Sequence, residues 1–272
     1  MDWLTACERL RAPIYAPLHA AIARLPAERW PSHDELTALV EGIQTSRAKP
    51  LCFIAPRDHT DRERRYYELH IAETGEVETR PENWHDLFNA LVWIAFPKAK
   101  ATINAQHAAI LEERGEEEAK RRSPERDALT LFDEGGVIVA SSTPALLRLI
   151  VDFEWKELFW NRRAELESRM RFFAFGHAMY EQALTPYIGM VAKTVCVPVN
   201  DLFFMLPLEV QMAQADALLA AHFANRTRYQ SPKMMAPMPF LGVPGWYHLS
   251  DREDFYDDAV HFRSRGIHPQ RS

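Results

Sequence analysis

Apolar residues recur in this chain at two spacings, and the alternation between them limits what it can fold into. Long stretches keep the three-to-four-residue repeat of a helix stripe, separated by short apolar runs of strand length. In the first 45 residues, Trp3-Leu4, Cys7 and Leu10 share one face, as do Leu18, Ile22 and Leu25. Ser32 and Glu35 form a capping box ahead of the stripe Leu36, Leu39-Val40 and Ile43. Two further helices are predicted over Trp84–Phe96 and Pro97–Arg114, with Pro97 in the first turn of the second. Thr143-Pro144 opens another, a long helical region is predicted over Trp155–Ala183, and a last helix over Leu208–Asn225.

The short runs read as strands. Leu51–Ile54, ended by Pro56, reads as a buried strand, and Thr194–Val199 as another. Tyr66–Ile71, a Thr74-Gly75 turn and Val77–Thr79 read as a hairpin. So do Ala128–Phe132, the turn Asp133-Glu134-Gly135-Gly136, and Val137–Ala140. From Ser231 the chain is rich in proline and aromatics and too apolar for disorder, so it is expected to wrap the body as an ordered irregular segment. The expectation is one α+β domain, predominantly helical with short antiparallel hairpins. It comprises a helical N-terminal extension (1–45), a body (46–230) and the wrapping tail (231–272).

Glycine narrows the function. There are 10 in 272 residues, and only Gly135 and Gly136 are adjacent. Neither GxGxxG nor GxxxxGK[ST] can be written, which removes the common nucleotide-binding loops. The formal net charge of −6 argues against a nucleic-acid partner. Three separated cysteines with no CxxC, an N-terminus with no apolar signal-like run, and no stretch of about 18 apolar residues point to a cytoplasmic protein outside the membrane. HExxH, GxSxG and SxxK are absent.

What remains is polar residues among apolar ones. His85 and Asn89 share a helix face, with Asp86 in the first turn. Lys100, Asn104 and His107 form a polar stripe on an alanine-rich helix. Asp127 and Asp133 bracket the predicted strand, with Arg126 beside Asp127, and Asp133 and Glu134 are also good turn residues. His177 and Glu181 stand one helical turn apart in a very apolar stretch, directly after Gly176. A carboxylate there would hold an imidazole tautomer, or both would ligate one metal ion. Trp246 follows the Pro244-Gly245 turn in the tail.

The stretches WHDLFNALVWIAFPKAK (Trp84 to Lys100), RDALTLFDEGG (Arg126 to Gly136), FGHAMYE (Phe175 to Glu181) and PFLGVPGW…FYDDAVHFR (Pro239 to Arg263) occur in this order. Together they resemble a mainly proteobacterial, cytosolic family known only as a domain of unknown function, over roughly residues 50 to 265. The resemblance carries no activity with it.

The residues themselves suggest a hydrolase of a small anionic substrate. His177, Glu181, Asp127 and His85 would be its acid–base or metal-assisting groups, in a pocket lined by Asn89, Lys100, Asn104, Arg126 and Trp246. Lys100 or Arg126 would neutralise the substrate's charge or a developing oxyanion. A divalent metal is the cofactor such a set could hold. The alternative is a non-catalytic binding or adaptor protein whose buried polar residues are structural. Oligomeric state is open.

Overall fold

Side-chain caps begin several of the helices. In the computed structural model, which describes residues 1–58, 60 and 66–264, the Asp2 carboxylate accepts from the Thr5 amide and begins α1 (Trp3–Arg9). A 3₁₀ turn (Pro13–Leu18), α2 (His19–Ile22) and α3 (His33–Leu39) follow, and both halves of the Ser32–Glu35 capping box are formed. After β1 (Cys52–Ile54) come α4 (Tyr67–Thr74) and β2 (Glu76–Glu78). The Asn83 side chain accepts from the Asp86 amide and starts α5 (Trp84–Ala95). Pro97 starts α6 (Pro97–Lys120), whose regular course ends at Arg114 because Gly115 takes a φ of 63°.

The second half builds a sheet. α7 (Pro124–Gly135) runs straight into β3 (Gly136–Ser141), followed by α8 (Pro144–Asp152) and α9 (Arg163–Arg169). Then come β4 (Met170–Ala174), α10 (His177–Ala183), β5 (Val191–Pro198), α11 (Leu208–Phe223) and β6 (Ala236–Pro239). Strand order is β4-β3-β5-β6, with β3 parallel to β5 (Val139 opposite Cys196) and the outer pairs antiparallel. Every residue of β3 is buried, as a central strand covered on both faces requires. The fold is α+β and predominantly helical, 58% helix against 12% strand.

Both expected hairpins are absent, for the same reason. Tyr66–Ile71 falls largely in α4, and β1 pairs with β2 in parallel across that helix. Ala128–Phe132 lies inside α7. Ala128, Leu129 and Phe132 are buried while Leu131 is exposed, a helical arrangement and not an alternating one. Gly135 and Gly136 join a helix to a strand instead of turning a hairpin. The predicted helix over Trp155–Ala183 is broken by β4, whose apolar run carries no sign that separates a buried strand from a buried helix.

The tail is built of short 3₁₀ turns around β6, ordered by aromatic contacts. The Tyr256 hydroxyl donates to the Gly242 and Ser250 carbonyls, and Trp155 Nε1 donates to the Arg263 carbonyl. Residues 265–272 of the expected tail lie outside the described residues. Buried apolar side chains form one connected cluster from Trp3 to Phe262. Among the described residues no helix is long and apolar enough to cross a membrane.

Gly176 is fixed by contact. A Cβ there would lie 2.4 Å from the Glu134 carbonyl oxygen and 2.5 Å from the Gly135 and Gly136 nitrogens. All three are backbone atoms, so relief requires moving the α7–β3 junction. Gly176→Ala is therefore expected to destabilise the protein by about 1–3 kcal/mol, read as a lower denaturant midpoint. An unchanged midpoint would show that the junction yields freely.

Candidate functional site

A cavity of about 410 Å³ with a largely polar wall lies where α4, α5, α6, α7 and α10 meet beside β2. From α5 it takes His85, Asn89 and Trp93, one face of the helix at i, i+4 and i+8. From α6 it takes Lys100, Asn104 and His107, the polar stripe seen in the sequence. α4 supplies Tyr67 and Glu68, α7 supplies Thr130, Asp133 and Glu134, and α10 supplies His177. The alanines around the α6 stripe let these helices approach closely.

The polar side chains form one connected chain. Lys100 Nζ donates to Asp133 Oδ1 (2.6 Å) and Oδ2 (2.8 Å) and to Asn89 Oδ1 (2.9 Å). This ion pair is well shielded, with 5% and 16% of the two side chains exposed. Burial works to raise the Asp133 carboxyl, but the Lys100 ammonium and His177 outweigh it, so Asp133 stays below the usual carboxylate range. The Asp133 carbonyl is 2.8 Å from His177 Nδ1. His177 Nε2 is 3.1 Å from His85 Nε2, and His85 Nδ1 is 3.1 Å from Glu181 Oε2.

The partners assign the tautomers. A carbonyl oxygen only accepts, so His177 carries a proton on Nδ1. An ionised carboxylate only accepts, so His85 does too. Both Nε2 atoms then present lone pairs to each other, and a 3.1 Å contact is stable only with a proton between them. Burial pushes the His177 imidazolium down, to about 4, against the pull of Asp133. His177 is 7% exposed, whereas His85 is 34% exposed and touches the Glu181 carboxylate.

Of the residues expected at a site, His85, His177 and Glu181 do join, but through a different pairing. Glu181 serves His85 across the helix interface and not His177 one turn away, and it is 43% exposed. Asn89, Lys100 and Asn104 line the cavity. Asp127 does not: it is exposed in the first turn of α7, at the far end of that helix from Asp133. Arg126 lies behind the wall, donating to His107 Nδ1 (3.2 Å) and the Glu118 carbonyl (3.1 Å). Trp246 packs on Phe240 and lines two other depressions. Lys100 and Arg126 are both engaged with protein groups, so the two cations expected to meet an anionic substrate are occupied. Asp133 and Glu68 were missed as site residues. The strand readings put the first in a turn and the second in a hairpin.

Among the described residues no group of three or more His, Cys, Asp or Glu side chains is arranged to hold a metal ion. Two imidazoles alone fall short of the three protein ligands of a usual catalytic zinc site.

A family model described as Protein of unknown function (DUF3025) matches residues 51–266, and the chain belongs to that family. The four sequence motifs lie inside the matched span. No curated protein and no solved structure matches the chain.

Two stability experiments follow. Lys100→Met leaves the shielded Asp133 carboxylate without its cation and is expected to cost about 3–5 kcal/mol. Adding Asp133→Asn should return part of that loss, and strictly additive effects would mean that the pair is not coupled. The second concerns pH. Burial, then the Arg126 guanidinium, pushes the His107 imidazolium down to about 3. The unfolded chain, with an ordinary imidazole near 6.5, binds the proton first. The His107 contribution is therefore complete above about pH 6.5 and is lost as pH falls toward 3. His107→Gln should flatten the stability-versus-pH slope in that window by up to one proton, about 1.4 kcal/mol per pH unit. An unchanged slope would remove His107 from the account.

Proposed function

We propose that this member of the DUF3025 family is a hydrolase of a small polar molecule, with the His85–His177 pair as its acid and base. The observation that carries the reading is the contact of two Nε2 atoms at 3.1 Å on the wall of a polar cavity, each imidazole held at Nδ1 by a fixed acceptor. The inner nitrogens of the two rings meet each other, which sets one proton between them.

The chemistry is proton transfer. The neutral imidazole of the pair takes a proton from a water as its oxygen bonds to the substrate's electrophilic centre. The protonated imidazole gives its proton to the leaving atom as that bond breaks, and the pair ends with the one proton it began with. Asn89 uses Oδ1 to accept from Lys100, so its Nδ2 hydrogens are left to meet negative charge that develops on the substrate. Lys100 and Asp133 act through others: the pair orients Asn89, and the Asp133 carbonyl fixes the His177 tautomer. Glu181, at the outer end of the chain, orients His85 and balances its charge.

The test is a screen of esters, amides and phosphoesters with the wild-type chain and three variants. His85→Ala and His177→Ala are each expected to lower the rate on any accepted substrate by about 10²-fold or more. Asp127→Ala should match the wild type, because Asp127 lies outside the cavity. Equal rates in both histidine variants and the wild type would sink the proposal. So would a rate that depends on Asp127.

A further inference from the structure

The cavity wall is more acidic than a site for an anion would be. Its ionisable residues other than histidine and tyrosine are Glu68, Glu78, Asp86, Asp133 and Glu134 against Arg80 and Lys100. Both cations are bound in pairs. Lys100 holds Asp133, and Arg80 donates to both oxygens of Asp86, at 2.8 and 2.9 Å. With those two pairs and Glu78 set aside, the acids left in the wall among the described residues are Glu68 and Glu134. Tyr67 records the same field, since burial and then the Glu68, Asp86, Glu78 and Asp133 carboxylates drive its phenol far up from the usual range.

An independent feature points to a donor. Asn104 is 2% exposed, and its Nδ2 donates to both the carbonyl and Oε2 of Glu68, each at 2.8 Å. Those two acceptors fix the amide orientation, because turning it over would set oxygen against oxygen. Asn104 Oδ1 is thereby left buried with no hydrogen-bond partner among the described residues. Beside it the Glu68 carboxyl, raised by burial and then by Asp133, has no lysine or arginine at ion-pair distance among the described residues. A buried acceptor without a donor is costly, and a bound donor relieves that cost.

We infer that the cavity takes a small organic cation, an alkylammonium or guanidinium, whose N–H groups meet the Glu68 carboxylate and Asn104 Oδ1. The acids are spread around a space of about 410 Å³ with the aromatic side chains of Tyr67 and Trp93 in its wall, and not gathered at one point as a metal ion requires. This inference rests on reading the cavity as the substrate site and names the charge of that substrate. It replaces the anionic substrate that the cations Lys100 and Arg126 suggest in the sequence.

The experiment is calorimetric titration of the full chain with n-butylammonium and n-butylguanidinium, matched against butyrate, n-butylphosphonate and MgCl₂. None of these probes carries an ester, amide or phosphoester bond, so the result is separate from the activity screen. At least one organic cation should bind, and the anions should not. Glu68→Gln should weaken the cation about tenfold or more, as expected for losing the charged partner of a hydrogen bond. Glu134→Gln, at an exposed position that folding tolerates, should weaken it by a smaller factor. His85→Ala should still bind the cation. Cation binding without hydrolysis in the screen would sustain this inference and defeat the hydrolase reading. Stronger binding of an anion overturns the inference, as does cation binding indifferent to both carboxylate variants, displacement by Mg²⁺, or no binding by either organic cation.

Discussion

The ion pair between Lys100 and Asp133 holds the centre of this molecule. Taking two charges out of water costs several kcal/mol each, and an apolar pair of similar volume would often be as stable. Its geometry does more than hold α6 against α7. Through Asn89 it reaches α5, and through the Asp133 carbonyl it sets the ring of His177 at the start of α10. Four helices are thus registered against one another by a single ammonium and a single carboxylate, and the two imidazoles meet because of that register.

The same arrangement explains the backbone around it. Asp133 sits in the last turn of a helix that passes directly into the central strand of the sheet. The segment Phe175-Gly176 crosses that junction so closely that no side chain fits at residue 176. The amides of Phe175 and Gly176 both donate to the Gly136 carbonyl, at 2.9 Å. The site therefore stands on the edge of the sheet layer, where the backbone has least freedom, and not on loops.

Much of this was legible in the residues. The capping box at Ser32, the break at Pro97 and the polar stripe on α6 follow from local chemistry that tertiary context does not overrule. The α7 segment shows where local chemistry fails. In Ala128-Leu129-Thr130-Leu131-Phe132 an alternating strand and an amphipathic helix share most of their apolar positions, and the glycine pair after it suits a hairpin turn equally well. Choosing the strand turned Asp133 into a turn residue and hid its role, and made Asp127 look equivalent to it. As a helix, the segment separates the two acids by six residues, nearly two turns, and only Asp133 reaches the interior. Glu68 was lost in the same way, because a hairpin reading of Tyr66–Ile71 gave no reason to single it out. The pairing of Glu181 with His85 depends on how α5 packs against α10, which no local spacing encodes.

The N-terminal segment puts the boundary of the family in a different light. Tyr15 stacks on Phe88 and Tyr180, at 5.8 and 5.7 Å, and its hydroxyl donates to the Tyr180 carbonyl. Those two rings belong to the helices that carry His85 and His177. Trp3 and Trp30 enclose Trp84, the residue next to His85. Trp3, Tyr15 and Trp30 all lie before position 51, where the match to the family begins. The span matched by the family model and the span that braces the imidazoles are thus not the same length of chain. A chain cut back to the matched span would keep every residue of the cavity wall and lose the aromatic rings packed against the helices that carry both imidazoles.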